Sequence, residues 1–369
     1  MKVLVTGYKG FIGKNLIEFL KTKPNIELYL FDIENTAEDL NCYCKDCDFV
    51  VNLAGVNRNP DDSQFVKGNC GVIENVINYL IKNQNICPIM YSSSIQAELD
   101  NIYGKSKKLA EDIVFNFSNK YNVPVYVYRF PNLFGKWGLP NYNSVIATFC
   151  YNISRDIEIQ INDANKELTL AYIDDVVSNI YDIIMNRPDL DDKYCNVDKI
   201  YQKKLGDIAN LIYQFKNSRK ELSVINTGDD FEKKLYSTYL SFLPTDQFSY
   251  EIKSHVDERG SFSELIRTSN AGQFSVNIAK PGITKGNHWH NTKNEKFIVI
   301  KGNAEICFRE PFSSEIIKYY VCGDKIEVVD IPCGYTHNIK NIGNDDLIFF
   351  IWCNECYDIN NPDTYFLEV

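Results

Sequence analysis

Lys2-Val3-Leu4-Val5-Thr6-Gly7-Tyr8-Lys9-Gly10-Phe11-Ile12-Gly13 is the stretch whose reading decides the fold. Lys2 to Thr6 is a short apolar run suited to a buried strand, and a helical pattern follows through Leu20. A glycine turn joins them. Strand, glycine turn and helix together form the setting in which a dinucleotide pyrophosphate meets a helix N-terminus. Gly7 permits the tight turn, Gly10 lets the backbone approach the pyrophosphate, and Gly13 lets helix and strand pack closely. Phe11 and Ile12 belong to the same cofactor-facing loop. The spacing is Gly-x-x-Gly-x-x-Gly, one residue longer in its first step than the Gly-x-Gly-x-x-Gly fingerprint.

Further strands repeat the pattern. Glu27 to Phe31 ends at Asp32, 19 residues after Gly13. A carboxylate there bonds the ribose 2′-hydroxyl of NAD and repels the 2′-phosphate of NADP. Lys9, inside the glycine loop, offers that phosphate a partner, so the residues divide between NADPH and NADH. Asp48 to Gly55 is the next buried strand, and its end residues Leu53, Ala54 and Gly55 suit close passage of a cofactor. Ile86 to Tyr91 delivers Ser92, Ser93 and Ser94, and Val123 to Arg129 leads into Pro131-Asn132-Leu133-Phe134-Gly135. Strands alternating with helices predict a doubly wound parallel α/β sheet. Ligands of such sheets sit at the carboxyl ends of the strands, where Gly7, Asp32, Ala54, Ser94 and Asn132 fall.

The serines are followed by Tyr103-Gly104-Lys105-Ser106-Lys107. Reducing a carbonyl needs a proton donor beside its oxygen while hydride arrives at carbon. A tyrosine, with a free pKa of about 10, suits that task if the pKa is brought toward neutrality. Four residues on along a helix, Lys107 shares the face of Tyr103, and its charge favours the phenolate. A serine hydroxyl at the strand end can hold the same oxygen.

After Tyr250 the composition turns to short alternating strands with glycine and proline turns, the pattern of an antiparallel barrel or jelly roll. The domains are therefore placed at 1–247 and 248–369. Three of the chain's 4 histidines, His288, His290 and His337, fall in one pattern in this second part. His288 and His290 share one face of a strand, and Glu295 and His337 can reach the same point from neighbouring strands. Three imidazoles and a carboxylate suit zinc or another divalent transition metal. Asp257-Glu258-Arg259-Gly260-Ser261-Phe262-Ser263-Glu264 opens the domain. Arg259 and Glu264 are either substrate contacts or a structural pair.

The motifs of the first part resemble the extended short-chain dehydrogenases/reductases, which act mainly on nucleotide sugars. They are Thr6-Gly7-x-x-Gly10-x-x-Gly13, Asp48-x-Val50-x-x-Leu53-Ala54, the serine triplet, Tyr103-x-x-x-Lys107, Arg129-x-x-Asn132-x-x-Gly135 and Tyr172-Ile173-Asp174-Asp175-Val176. The resemblance implies Tyr103 as acid/base, Lys107 as its partner and ribose ligand, and a serine polarising the carbonyl, Ser94 ahead of Ser93. Asn132 and the loop carrying Asn141 and Asn143 fall where that family grips the nucleotide sugar, although the loop also reads as polar packing. The second part resembles the cupin family. Gly282, His288-x-His290, Glu295 and Gly302 fit its first motif without a gap. Pro332-x-Gly334-x-x-His337-x-x-x-Asn341 fits its second, except that Gly323 stands farther upstream than usual, which implies a longer hairpin. The Arg259 run resembles cupin-type deoxysugar-nucleotide epimerases, which are usually metal-free.

Through Ser144-Val-Ile-Ala-Thr-Phe-Cys150, Lys285-Gly-Asn-His-Trp-His290 and Pro362-Asp-Thr-Tyr-Phe-Leu-Glu-Val369 most specifically, the chain resembles bifunctional capsular-polysaccharide enzymes over its whole length. That resemblance implies C3 epimerisation of a UDP-2-acetamido-2,6-dideoxy-4-hexulose by the cupin and C4 reduction with NADPH to UDP-2-acetamido-2,6-dideoxy-L-talose, on a route to UDP-N-acetyl-L-fucosamine. It also implies a homodimer. A competing reading keeps the reductase and makes the cupin a binding and dimerisation module with structural zinc; another makes the cupin an iron oxygenase.

The totals agree with a soluble enzyme of two domains. The chain has 369 residues and a net charge of −10, which argues against general nucleic-acid binding. The first residues already read as a strand rather than a secretory signal, and no run approaches the roughly 18 apolar residues of a membrane span. A cytoplasmic location is expected. The 12 cysteines are scattered, so free thiols are expected, with Cys44/Cys47 and Cys353/Cys356 as weak metal-type spacings.

Overall fold

Val3, Leu4 and Val5 have no exposed surface, because the strand that holds them has a neighbour on each side and is covered on both faces. In the computed structural model, residues 1–58, 61–189, 192–252, 254–257, 260–263, 272–355 and 360–369 are described. Arg259, Glu264 and Cys356 lie outside them.

Strand and helix alternate through β1 (Lys2–Thr6), α1 (Phe11–Lys21), β2 (Glu27–Phe31), α2 (Ala37–Tyr43), β3 (Phe49–Asn52), α3 (Ser63–Lys82), β4 (Ile89–Ser94), α4 (Ile102–Tyr121) and β5 (Val125–Phe130). The strands lie in the order β2-β1-β3-β4-β5, all parallel. The expected doubly wound sheet is present. Strand order reverses at β1, which opens a crevice between the carboxyl ends of β1 and β3. β4 lies three residues later than the 86–91 expected. Ile89 pairs with both Val50 and Val125, and the ladder then carries all three serines to its end.

The chain continues through β6 (Asn132–Phe134), α5 (Val145–Ser154), β7 (Glu167–Tyr172), α6 (Ile173–Asn186), β8 (Tyr201–Lys204), α7 (Leu205–Glu221) and α8 (Asp230–Ser241). Next come β9 (Ser249–Glu251), β10 (Ser254–Asp257), β11 (Gly260–Ser263), β12 (Gln273–Ala279), β13 (Thr284–Trp289) and β14 (Glu295–Lys301). The last are β15 (Asn303–Arg309), β16 (Ile317–Cys322), β17 (Glu327–Ile331), β18 (Thr336–Asn341), β19 (Leu347–Cys353) and β20 (Tyr365–Phe366). Two antiparallel sheets run β12-β19-β14-β17-β9 and β16-β15-β18-β13-β20. β16 and β17 belong to different sheets, so the interval after Gly323 is a passage between sheets and not the longer hairpin expected.

Two compact units result, Met1–Ser144 with Leu168–Gln202, and Val145–Glu167 with Lys203–Val369. Composition changes near 247/248, whereas compactness groups α5, α7 and α8 with the antiparallel sheets. Polar contacts within that unit show why. Ser237 on α8 donates to the Thr292 carbonyl at 2.8 Å and accepts from Asn294 Nδ2 at 3.1 Å. Arg219 on α7 reaches buried Asp330 at 3.4 Å.

Asp330 also accepts from Lys296 Nζ at 2.5 Å, and Lys296 donates to Tyr250 Oη at 3.1 Å. Both charged side chains are almost fully buried. Breaking such a pair leaves a charge without compensation, whereas replacing both partners does not. Lys296→Met, which leaves Asp330 only its contact with Arg219, is expected to destabilise this unit by up to about 3–5 kcal/mol, and Lys296→Met/Asp330→Leu, which strands Arg219, to recover only part of that loss. Urea unfolding of the three proteins checks this; equal midpoints for wild type and Lys296→Met would show that the pair is dispensable.

Candidate active site and metal centre

The glycine loop is built by close backbone contact. Gly7 has φ 69°, and a Cβ there would lie 2.6 Å from the Ala54 nitrogen. A Cβ on Gly13 would lie 2.5 Å from the Gly7 oxygen. Both positions demand glycine, since real Cβ atoms do not approach that closely. Gly10 is the N-cap of α1, so the first amides of that helix face the crevice. Phe11, Ile12, Leu53 and Ala54 are partly exposed beside it, and Gly55 is exposed.

Asp32, at the end of β2, accepts from the Lys9 amide at 2.9 Å and from the Ile33 amide at 2.8 Å. The Lys9 ammonium pairs with Glu34, which also accepts from Tyr8 Oη at 2.7 Å. Lys9 is thus already neutralised, and Glu34 joins Asp32 as a second carboxylate there. Sequence reasoning passed over Glu34; its place two residues beyond Asp32 was the available signal.

Three side chains of α4 at four-residue steps, Tyr103, Lys107 and Glu111, lie along one face. Tyr103 Oη donates to Asn57 Oδ1 at 3.0 Å. Burial pushes the phenol up from its ordinary pKa, and a hydrogen bond with Ser94 works against that. Lys107 Nζ donates to the Ser92 carbonyl at 2.9 Å, and burial pulls its pKa down to about 8. The direction at Tyr103 is opposite to the expected shift toward neutrality, because burial dominates both groups. The two candidate serines separate. Ser93 donates to buried Glu111 at 2.6 Å, which commits it to the core. Ser94 is partly exposed, accepts the Gln96 amide at 3.2 Å and faces Tyr103.

Asn132 is exposed and donates to the Thr169 carbonyl at 3.2 Å. Asn141, with φ 57°, and Asn143 are exposed on the following loop. Arg58 Nη1 donates to the Tyr142 carbonyl at 3.1 Å and joins this loop to the one leaving β3. Asn57 and Arg58 were not anticipated, although both follow the carboxyl end of a strand, where ligands bind.

In the second unit, His288, His290, Glu295 and His337 converge, with candidate ligand atoms all within 4.8 Å of one another. Glu295 Oε2 lies 3.6 Å from His290 Nε2 and 3.3 Å from His337 Nε2. Both of these ring nitrogens are buried without a hydrogen-bond partner. Buried polar atoms are rarely left so, and lone pairs aimed at a common point fit a divalent ion. His290 Nδ1 is satisfied by the Asp363 carbonyl at 2.6 Å, which directs Nε2 to the centre. Burial, followed by the neighbouring imidazoles of His337 and His290, pushes His288 down to about 3, so it is a neutral donor. Burial opposes the charge on Glu295, but His290 and His337 more than reverse this and hold it below the usual carboxylate range. Cys44 and Cys47 do not form a comparable centre. Cys47 Sγ lies 3.8 Å from Cys87 Sγ in the sheet core, where burial raises the Cys44 thiol.

Residues 3–197 match the model described as NAD dependent epimerase/dehydratase family, and residues 255–365 that of the Polysaccharide biosynthesis C-terminal domain. The UDP-2-acetamido-2,6-beta-L-arabino-hexul-4-ose reductase of Pseudomonas aeruginosa is 44% identical over 374 residues, 100% of this chain and 99% of that protein. The crystal structure of the capsular polysaccharide assembling protein CapF from Staphylococcus aureus is similar with 50% identity, a TM-score of 0.69 and complete coverage of both chains. The UDP-glucuronic acid 4-epimerase of Bacillus cereus, solved with NAD, shares the fold over 59% of this chain and 85% of its own, with a TM-score of 0.53 and 17% identity. Among the described residues, no helix is long and apolar enough to cross a membrane.

His290→Ala is expected to lower bound divalent metal well below one equivalent, because the remaining three ligands form an incomplete shell. Elemental analysis of alanine variants at His288, His290, Glu295 and His337 checks each ligand. Full metal content in all four would rule out this cluster as the centre.

Proposed function

The chain belongs to the NAD dependent epimerase/dehydratase family, and on that footing we propose that it is a bifunctional UDP-sugar enzyme of surface-polysaccharide synthesis. Its two activities are C3 epimerisation of a UDP-2-acetamido-2,6-dideoxy-4-hexulose and NADPH-dependent reduction at C4 to UDP-2-acetamido-2,6-dideoxy-L-talose. The observation that carries the reading is the single α4 face that holds Tyr103 and Lys107, tied to the carboxyl end of β4 by Lys107 Nζ donating to the Ser92 carbonyl. The full-length likeness to a UDP-4-keto-sugar reductase supports the substrate class.

In the reductase, residues 1–247 in this reading, a nicotinamide held in the crevice would supply hydride to C4. Tyr103 gives its phenolic proton to the C4 oxygen, and Ser94 holds that oxygen by a hydrogen bond. Lys107, fixed to β4 through the Ser92 carbonyl, has further N–H donors for the ribose and for the phenol as it loses its proton. One hydride and one proton convert the ketone to the alcohol. Asn132, Asn141 and Asn143 serve the nucleotide sugar.

Residues 248–369 are read as a cupin barrel, supported by the two antiparallel sheets and the converging ligand set. The 4-keto group acidifies the C3 proton. A divalent ion, zinc on the nitrogen-rich donor set, would supply Lewis acidity at the 4-keto oxygen. His288, His290, Glu295 and His337 hold it. Arg259 and Glu264 are assigned to substrate. The whole is read as a cytoplasmic homodimer.

Tyr103→Phe is expected to lower NADPH oxidation by about 10²–10⁴-fold while C3 proton exchange in D2O, followed by NMR without nicotinamide, continues. Near-normal oxidation in that variant would remove Tyr103 from the mechanism. Absence of exchange in the wild type would reduce the second unit to a binding module. Glu34→Gln, which releases Lys9, is expected to raise the NADPH-to-NADH ratio of kcat/KM; an unchanged ratio would leave cofactor choice to Asp32.

A further inference from the structure

The segment after residue 360 runs across the ligand strands. β20 pairs with β13, His288 opposite Phe366 and Trp289 opposite Tyr365. The Leu367 amide donates to the Asn287 carbonyl at 2.9 Å, and Thr336 Oγ1 donates to the Leu367 carbonyl. The segment is therefore tied to β13, which carries His288, and to β18, which carries His337.

Asp363 stands just before this pairing, in a left-handed turn with φ 36°. Its carboxylate collects four bonds from the loop between His290 and Glu295. Oδ1 accepts the Asn291 amide at 3.0 Å. Oδ2 accepts the Thr292 amide at 2.9 Å, Thr292 Oγ1 at 3.2 Å and the Lys293 amide at 2.8 Å. Three successive amides converging on one side chain make an anion-holding turn. Asparagine has a single acceptor oxygen and cannot replace both.

The backbone of the same residue does a second job. Its carbonyl accepts from His290 Nδ1, which places the ring proton there and leaves the lone pair on Nε2. We propose that Asp363 is a positioning residue of the metal centre: its carboxylate fixes the His290–Glu295 loop while its carbonyl fixes the tautomer and aim of His290. The two are coupled, because the carboxylate contacts hold the turn that presents the carbonyl. This rests on the metal-centre reading given under Proposed function.

The test uses the full chain, stripped with chelator and titrated with Co2+, with affinity read by chelator competition and ligand geometry by the visible absorption of the bound ion. The wild type should take up one Co2+. Asp363→Asn should bind it about 10–100-fold more weakly, with a changed visible spectrum that a merely structural loss of stability would not produce. Thr292→Val removes one of the four bonds and should move both readouts the same way by less. It decides the matter if Asp363→Asn loses its far-UV circular dichroism. Wild-type uptake with unchanged affinity and spectrum in folded Asp363→Asn overturns the inference alone. No uptake by the wild type overturns the metal-centre reading beneath it.

Discussion

A buried carboxylate holds the active-site helix in place. Glu111 has no exposed surface. It accepts Arg129 Nε and Nη2, both at 2.8 Å, together with Ser93 Oγ at 2.6 Å and Tyr194 Oη at 3.1 Å. Burial alone would raise its pKa, but Arg129 and Ser93 reverse this and hold it below its ordinary value. Planar, two-pronged contact with Arg129 on β5 and a short bond to Ser93 on β4 leave α4 little freedom to slide. Lys107 and Tyr103 lie one and two turns earlier on the same helix. Their distance from the strand ends is therefore set in the core, away from the chemistry.

The second unit solves an equivalent problem by different means. Glu295 is a carboxylate brought beside three imidazoles, and its surroundings must compensate its charge. Two histidine nitrogens approach it without completing a hydrogen-bonded network. Outside that centre, His290 is fully engaged through Nδ1. The outer contacts are satisfied while the inner donors remain directed at one point, which is the division of labour expected of a metal site. The same unit buries Lys296 against Asp330, so its helices and sheets share charged contacts as well as apolar ones.

Much of this was legible in order along the chain. Gly7 and Gly13 announced the cofactor crevice because a missing Cβ is a local property, readable wherever strand and helix patterns flank it. Tyr103 and Lys107 share a face because helical spacing is local. His288 and His290 share a strand face for the same reason. Where periodicity was the only guide, the reading slipped: β4 begins at Ile89, since its position depends on pairing with β3 and β5.

By itself the sequence determined the alternation that makes the sheet parallel and the residue types able to do reduction and metal binding. Those follow from covalent spacing and side-chain chemistry. Only the tertiary structure separated Ser94 from Ser93, because the distinction is which hydroxyl Glu111 claims. It alone paired Lys9 with Glu34, brought Asn57 to Tyr103, and grouped α5, α7 and α8 with the antiparallel sheets. Asp363 shows the reason most plainly. It lies 73 residues from His290 in the chain and 2.6 Å from its ring in space, and no local pattern carries a contact closed over that distance.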